Sequence, residues 1–342
     1  MEQIIFTTDS SMVLAELLRG VRHEQLFIVA DKHTVGFCDK LLEKVDWIPL
    51  NVVVDCGEEN KSLNSVARIW SVLSKRGARR SSILLCVGGG MVTDMGGFAA
   101  STFKRGMRCI YVPTTLLAQV DASLGGKTGI NFDGLKNEIG TFKEPERVII
   151  DVMFLKTLPV RERMAGFAEM LKHGLLSDVE YLDRLLTCDT DEPDREEFLD
   201  LLKRSIAVKN EIVILDPLEK GVRKALNFGH TIGHAIESCS VMRHENLLHG
   251  ESVALGMIAE LYLSVREKGF PEEIFHRVRD FIRRYYPIYP VMGYADTLCE
   301  LMSHDKKNDR EGLNFTLLES VGQFSVDNYC SRELVMEALR QI

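Results

Sequence analysis

No Cys-x-x-Cys pair occurs in the 342 residues, although eight cysteines lie scattered between Cys38 and Cys330. Reduced, mostly buried thiols are therefore expected, with Cys86 and Cys109 in strand-like apolar runs. Long apolar stretches are also missing: none approaches the ~20 residues needed to span a bilayer. The start, Met1-Glu-Gln-Ile-Ile-Phe-Thr-Thr-Asp9, lacks the basic opening and apolar core of a signal peptide, so the expected address is the cytoplasm, with no membrane partner. Positive charge is in deficit, with 42 Lys and Arg against 50 Asp and Glu, a net charge of -8 and a pI near 5.7. That balance gives no general attraction to nucleic acid or acidic membranes, so an anionic ligand must be held by a local cluster of Lys and Arg. Neither an internal repeat nor a low-complexity linker is visible.

What is present is a chain 45% hydrophobic and 27% charged, which fits a folded protein of two domains. Leu26–Asp31, Ile48–Asp55, Ile83–Val87 and Cys109–Pro113 read as buried strands, and Leu63–Lys75 between two of them reads as a helix. This is α/β order with a largely parallel sheet. Beyond Phe154 the segments 161–176, 194–215, 233–238, 251–268 and 271–285 carry helical periodicity, and a short strand pair is expected at Leu313–Leu318 and Gly322–Ser325.

The densest chemistry runs from Asn227 to Glu251, where His230 and His234 stand four apart and His249 follows after a loop. On a helix the first two imidazoles share a face, and the three together suit Zn²⁺ or a similar divalent metal; the competing reading is core or capping histidines. Glu169, in an apolar helical stretch, needs a cation, and Lys172 or a metal would serve. A glycine adjoins each histidine, at Gly229, Gly233 and Gly250, a choice that helix stability alone does not explain and that admits close approach of backbone or ligand.

In the first half, the strand ending at Val87 runs into Gly88-Gly89-Gly90 with Asp94 beyond, a glycine turn opening a helix, where diphosphates bind through backbone N–H groups. Its spacing departs from Gly-x-Gly-x-x-Gly, and a plain tight turn is the alternative. Asp31, ending another strand, suits a ribose hydroxyl or a helix cap. A polar block from Gln119 to Asn137 contains Gly125-Gly-Lys-Thr128, but the first glycine of a P-loop is missing. It reads as a flexible loop offering Lys127, Lys136 and Asn137 to a phosphate or carboxylate.

Taken in order, these blocks resemble the 3-dehydroquinate synthases over nearly the whole chain. The motifs are Gly57-Glu-Glu-Asn-Lys61, Gly88-Gly-Gly with Asp94, Arg105-Gly106, Pro113-Thr-Thr-Leu-Leu-Ala118, Val120-Asp-x-Ser123, Gly125-Gly-Lys127 and Lys136-Asn137. The series continues with Ala168-Glu-x-x-Lys172, Arg223, Asn227-Phe-Gly-His230, His234, Leu248-His-Gly-Glu251 and Asp305-Lys-Lys307. The resemblance implies a Rossmann-like, mostly parallel sheet domain over residues 1–152, a mainly α-helical domain over 153–342 and an active site in the cleft between them. It implies bound NAD, a divalent metal (Zn²⁺ or Co²⁺), a homodimer, and conversion of 3-deoxy-D-arabino-heptulosonate 7-phosphate to 3-dehydroquinate and phosphate. The implied scheme is transient oxidation by NAD, phosphate elimination, re-reduction and intramolecular aldol closure.

By the same resemblance the metal ligands are Glu169, His230 and His249, which moves His234 from ligand to proton acceptor alongside Glu219. Asp121 and Lys127 complete the catalytic set. Arg105, Asn137, Lys172, Lys209, Arg223, Asn227, Lys306 and Lys307 are implied substrate contacts. Asp31, Glu58, Lys61, Gly88, Gly89, Gly90, Asp94, Thr114, Thr115, Lys136, Phe154 and Thr157 are implied NAD contacts. Thr93 departs from the glycine usual there. Other readings are a different sugar phosphate cyclase, a metal-dependent polyol dehydrogenase of the glycerol dehydrogenase type, which needs no phosphate pocket, and a non-catalytic relative, which would be expected to have lost Glu169, His230 or Asp121.

Overall fold

The computed structural model describes residues 3–20, 26–45, 50–133, 135–303 and 312–342, and divides into two compact units, Met1–Leu158 and Pro159–Ile342. The first unit runs β1 (Ile4–Thr7), α1 (Ser10–Leu17), β2 (Leu26–Asp31), α2 (Val35–Leu41), β3 (Leu50–Val54), α3 (Leu63–Lys75) and β4 (Ile83–Gly88). It continues through α4 (Gly90–Thr102), β5 (Arg108–Pro113), β6 (Lys127–Phe132), β7 (Leu135–Phe142) and β8 (Arg147–Asp151). Six strands form a wholly parallel sheet in the order β1-β8-β5-β4-β2-β3. Its central strands are unbroken apolar runs because both faces are covered. Ile28, Ala30, Ile83, Leu85, Val87, Ile110 and Val112 pack on the side of α1 and α2. On the other side α4 lies so near the sheet that a Cβ at Gly97 would come within 2.0 Å of Tyr111 Oη.

The chain leaves β2 for β3 on one side and returns to β4 on the other, so β2 and β4 flank the switch point of the sheet. A crevice outside the carboxyl ends of such strands is where open α/β sheets bind ligands. Asp31 closes β2 there and Gly88 closes β4, tied together by a 2.8 Å hydrogen bond from the Thr34 hydroxyl to the Val87 carbonyl.

The block expected as a flexible loop is ordered structure. Ala118–Ala122 forms a π-turn, and β6 and β7 make an antiparallel hairpin pairing Lys127 with Phe142 and Ile130 with Ile139. Its two strands approach at paired glycines, Gly129 opposite Gly140, where side chains would collide with backbone. Glycine at those positions is what disguised the strands in the sequence.

The second unit comprises α5 (Val160–Leu175), α6 (Val179–Thr187), α7 (Glu196–Leu215), α8 (His230–Met242), α9 (His249–Lys268), α10 (Glu272–Tyr285), α11 (Ala295–Ser303), β9 (Leu313–Ser320), β10 (Gln323–Cys330) and α12 (Arg332–Leu339). The expected strand pair exists as β9 and β10, antiparallel and longer than anticipated. Two helices, α5 and α9, are buried almost from end to end, as expected of central helices apolar on every side. No helix among the described residues is long and apolar enough to cross a membrane. The glycines beside the histidines have a packing explanation after all: a Cβ at Gly233 would meet Val253 Cα at 3.0 Å, and one at Gly250 would meet the Ala165 carbonyl oxygen at 1.8 Å. They let α8 meet α9, and α9 meet α5, backbone to backbone.

Candidate active site

In the first unit, β4 passes through Gly88 and Gly89 into α4, whose first residue is Gly90. Gly89 occupies the N-cap without a capping side chain, so the opening N–H groups of α4 carry no side-chain cover, as a site for an anion requires. Thr114 and Thr115 border this turn; the Thr114 N–H donates to the Gly88 carbonyl at 3.0 Å, and Thr115 Cγ2 lies 3.1 Å from where a Gly89 Cβ would be. Thr93 is buried and donates its hydroxyl to the Gly90 carbonyl at 3.1 Å, so its departure from glycine is absorbed inside the helix. Asp31 Oδ1 accepts from the His33 and Thr34 N–H groups at 2.9 Å each, which makes it a turn cap, and Oδ2 takes no hydrogen bond among the described residues. Phe154, half-buried, packs edge-on against Phe37 at 5.2 Å, and Thr157 donates to the Phe154 carbonyl at 3.1 Å.

A buried lysine organises the polar side of this unit. Lys61 Nζ donates to Asp94 Oδ2 at 2.6 Å and to Asn137 Oδ1 at 2.5 Å, joining α4 to the β6–β7 hairpin. Asn131, on β6, donates to both the carbonyl and the carboxylate of Glu58 and accepts from the Asn137 N–H. Asn137 is held in the left-handed region at φ 52. Burial pushes the Asp94 carboxyl above the usual carboxylate range, against the pull of Lys61. Lys61→Met removes the cation from this network and is expected to cost on the order of 3 kcal/mol of stability, measured by urea denaturation. A variant as stable as the parent would show the pairing to be energetically idle. Lys127 and Lys136 lie exposed on the hairpin, and Asp121 sits in the π-turn. Arg105 is not gathered with the glycine turn: it follows α4, a helix of 13 residues and so ~20 Å long, at the end opposite Gly90.

The second unit brings Glu169 of α5, His230 and His234 of α8, and His249 of α9 together. The ring centroids of His230 lie 5.2 Å from His234 and 5.5 Å from His249. His230 Nδ1 lies 3.0 Å from the Phe228 carbonyl, and His249 Nδ1 lies 3.2 Å from Glu237 Oε2. A carbonyl and a carboxylate only accept, so both Nδ1 atoms carry a proton, and in the neutral imidazoles both Nε2 atoms present lone pairs. Those lone pairs face one oxygen: Glu169 Oε1 is 3.4 Å from His230 Nε2 and 3.9 Å from His249 Nε2.

Glu169 is fully buried; its Oε1 has no hydrogen-bond donor, and its Oε2 is in ion contact with Lys172, itself 1% exposed. Three electron-rich atoms converging without a donor require a cation among them. Burial, helped by the charge on Lys172, pushes the His230 imidazole well below its ordinary pKa, which holds that ring neutral. A divalent metal does fit, with one carboxylate and two imidazoles as the donor set. The three imidazoles are also close enough to share an ion. His234 is nevertheless exposed at the rim, whereas the buried Glu169 Oε1 is left without a donor.

Beside this centre the loop from Asp216 to Gly229 holds three more candidates. Asp216 accepts from the Lys220, Gly221 and Arg223 N–H groups, which fixes the turn. Within it Glu219 adopts φ 57 and accepts from Asn227 Nδ2 at 2.9 Å, while buried Arg223 donates to the Pro217 carbonyl at 2.7 Å. Lys209 is buried on α7. Lys306 and Lys307 lie outside the described residues. Sequence reasoning missed Glu237, although it stands seven residues after His230 and therefore on the histidine face of α8; that spacing was the available signal. Asn131 and Glu251 were quoted within motifs but given no role.

A glycine turn at the switch point of a parallel sheet, with a buried carboxylate facing two imidazoles in a helical unit, places the chain in the fold class of the sugar phosphate cyclases. It superposes with TM-score 0.88 and 26% identity on 2-epi-5-epi-valiolone synthase from Streptomyces hygroscopicus subsp. jinggangensis 5008, solved with NAD⁺ and Zn²⁺ bound, over 98% of this chain and 95% of that one. A 2-deoxy-scyllo-inosose synthase shares the fold at TM-score 0.83 and 24% identity, over 99% and 96% of the two chains. More narrowly, the chain belongs to the 3-dehydroquinate synthase family: the family's N-terminal region matches residues 51–165 and its C-terminal region residues 166–308. The 3-dehydroquinate synthase of Parabacteroides distasonis is 46% identical over 99% of this chain and 97% of its own length.

Proposed function

We propose that the chain converts 3-deoxy-D-arabino-heptulosonate 7-phosphate to 3-dehydroquinate and phosphate, acting as an NAD- and metal-dependent phosphorus–oxygen lyase. The observation that carries the chemistry is Glu169 Oε1, buried without a hydrogen-bond donor and faced by the Nε2 atoms of His230 and His249, while Oε2 pairs with Lys172. These three residues hold Zn²⁺ or Co²⁺ in this reading, and Asp31, Glu58, Lys61, the turn Gly88-Gly89-Gly90, Asp94, Thr114, Thr115, Lys136, Phe154 and Thr157 hold NAD. When bound, NAD supplies a hydride acceptor restored within each turnover, and the metal supplies Lewis acidity toward substrate oxygens.

The residues of the chain do the rest by position. His234, exposed beside His230, and Glu219, oriented by Asn227, accept and return protons. Asp121 orders the groups around them. Arg105, Lys127, Lys172, Lys209, Arg223 and the Lys306–Lys307 pair supply the cations that a substrate bearing phosphate and carboxylate needs in an acidic protein, with Asn137 and Asn227 as neutral donors. This set of cations favours the lyase over a polyol dehydrogenase, which has no phosphate to hold. A homodimer working in the cytoplasm completes the reading; sedimentation velocity tests the dimer.

The function is tested by phosphate release from the substrate with catalytic NAD and Zn²⁺, followed with NADH absorbance in the same cuvette. Many phosphates per NAD, no accumulating NADH and loss of activity to a chelator are expected. Stoichiometric NADH from simple polyols without phosphate release would transfer the chain to the dehydrogenases.

A further inference from the structure

We propose that Glu237 is a positioning residue for the metal centre: its carboxylate fixes the tautomer of His249 and raises the donor strength of the His249 Nε2. The inference rests on the metal reading given above.

His230, His234 and Glu237 occupy positions i, i+4 and i+7 of α8, so a single face carries all three. The glycine contact at Gly233 draws that face onto the start of α9, where His249 is the first helical residue. A side chain from the second turn of α8 thereby reaches the imidazole on α9. Glu237 Oε2 stands 3.2 Å from His249 Nδ1, with the Glu237 side chain 7% exposed. A buried carboxylate is costly to keep unless it has a donor of this kind.

The two imidazoles facing Glu169 are thus anchored differently. His230 Nδ1 donates to the Phe228 carbonyl, a neutral acceptor on the same loop, whereas His249 Nδ1 donates to an anion on a different helix. An anionic acceptor pulls the Nδ1 proton and increases electron density at Nε2 more than a carbonyl does. Glu237 also braces the start of α9, which two other contacts hold: the Leu248 N–H donates to Glu251 Oε2 at 2.8 Å, and Arg161 of α5 grips Glu251 through Nε and Nη2 at 2.6 and 2.7 Å. Those contacts set where His249 begins, and Glu237 sets how its ring is turned and charged.

The test is Co²⁺ and Zn²⁺ affinity, measured by competition with a chelator, for the parent protein, Glu237→Gln, Glu237→Ala and Glu169→Ala, together with the visible absorption of the Co²⁺ forms. Outer partners of metal-bound histidine typically account for about 10- to 100-fold in affinity. Glu237→Ala is expected to lose affinity within that range and to change the Co²⁺ spectrum. Glu237→Gln retains an acceptor for Nδ1 but not the charge, so it is expected to keep the spectrum and fall between the two. If Glu169→Ala loses the metal while both Glu237 variants bind like the parent, the inference about Glu237 is overturned and the metal reading stands. If Glu169→Ala binds like the parent, the metal reading itself fails. Should Glu237→Ala not fold, the position of Glu237→Gln decides: affinity unchanged from the parent overturns the inference.

Discussion

Replacing Glu169 with alanine is expected to destabilise the metal-free protein by roughly 3–5 kcal/mol, in addition to stopping turnover. The reason is Lys172, three residues along α5 and 1% exposed, for which Glu169 is the one acidic partner among the described residues. Deleting the carboxylate leaves an ammonium in the core of the second unit with nothing to balance it. Removing both charges is far less harmful than removing one, because an apolar pair of similar volume incurs no desolvation penalty. The double variant Glu169→Ala with Lys172→Met is therefore expected to recover most of the stability while still failing to retain Zn²⁺. Denaturant unfolding of the two variants, with metal content measured on the same samples, separates the structural role of the carboxylate from its role toward the metal. A single variant as stable as the parent would mean that the Glu169–Lys172 contact is not a buried ion pair in solution.

The same pair shows what was legible in the sequence. Glu169 was conspicuous as a carboxylate in an apolar helix that needed a cation, Lys172 at i+3 or a metal, because burial of charge leaves few solutions. The strands β2, β4 and β5 were readable for a related reason: both faces of a parallel sheet are covered, which writes them as continuous apolar runs. The edge strand β1, four half-buried residues, carries no such run. The β6–β7 hairpin escaped because its exposed residues Leu135 to Glu138 do not alternate and its strands meet at Gly129 and Gly140. Helix α8 was under-read as residues 233–238 although it extends over His230–Met242, because glycines at 229 and 233 look like interruptions until α9 is placed against them. Local pattern reveals what one element buries. It does not reveal which backbone lies across it, and the three glycines beside the histidines answer to that second question.

Gly250→Ala carries that point to its largest consequence and is expected to damage the metal centre without touching a ligand. A Cβ at this position would sit 1.8 Å from the Ala165 carbonyl oxygen and 2.5 Å from its carbon, both backbone atoms of α5 that no side-chain rotation relieves. The added methyl group must therefore separate the start of α9 from α5 by more than ~1 Å to restore van der Waals contact. Gly250 directly follows His249, and Ala165 lies one helical turn before Glu169, so the displacement falls between two of the three proposed ligands. Metal sites need their donors held to within about 0.5 Å, and a misplacement of 1 Å costs on the order of 100-fold in rate. The variant is expected to lose stability by about 1–3 kcal/mol, as overpacked cores do, and to bind Zn²⁺ correspondingly weakly. Gly293→Ala serves as the control: nothing lies within 4 Å of its added methyl, and its stability and metal affinity are expected to match the parent within about 0.5 kcal/mol. Unimpaired Zn²⁺ binding by Gly250→Ala, alongside the expected loss of stability, would mean that Glu169 and His249 do not hold one ion together, and the carboxylate would then have to be dropped from the donor set.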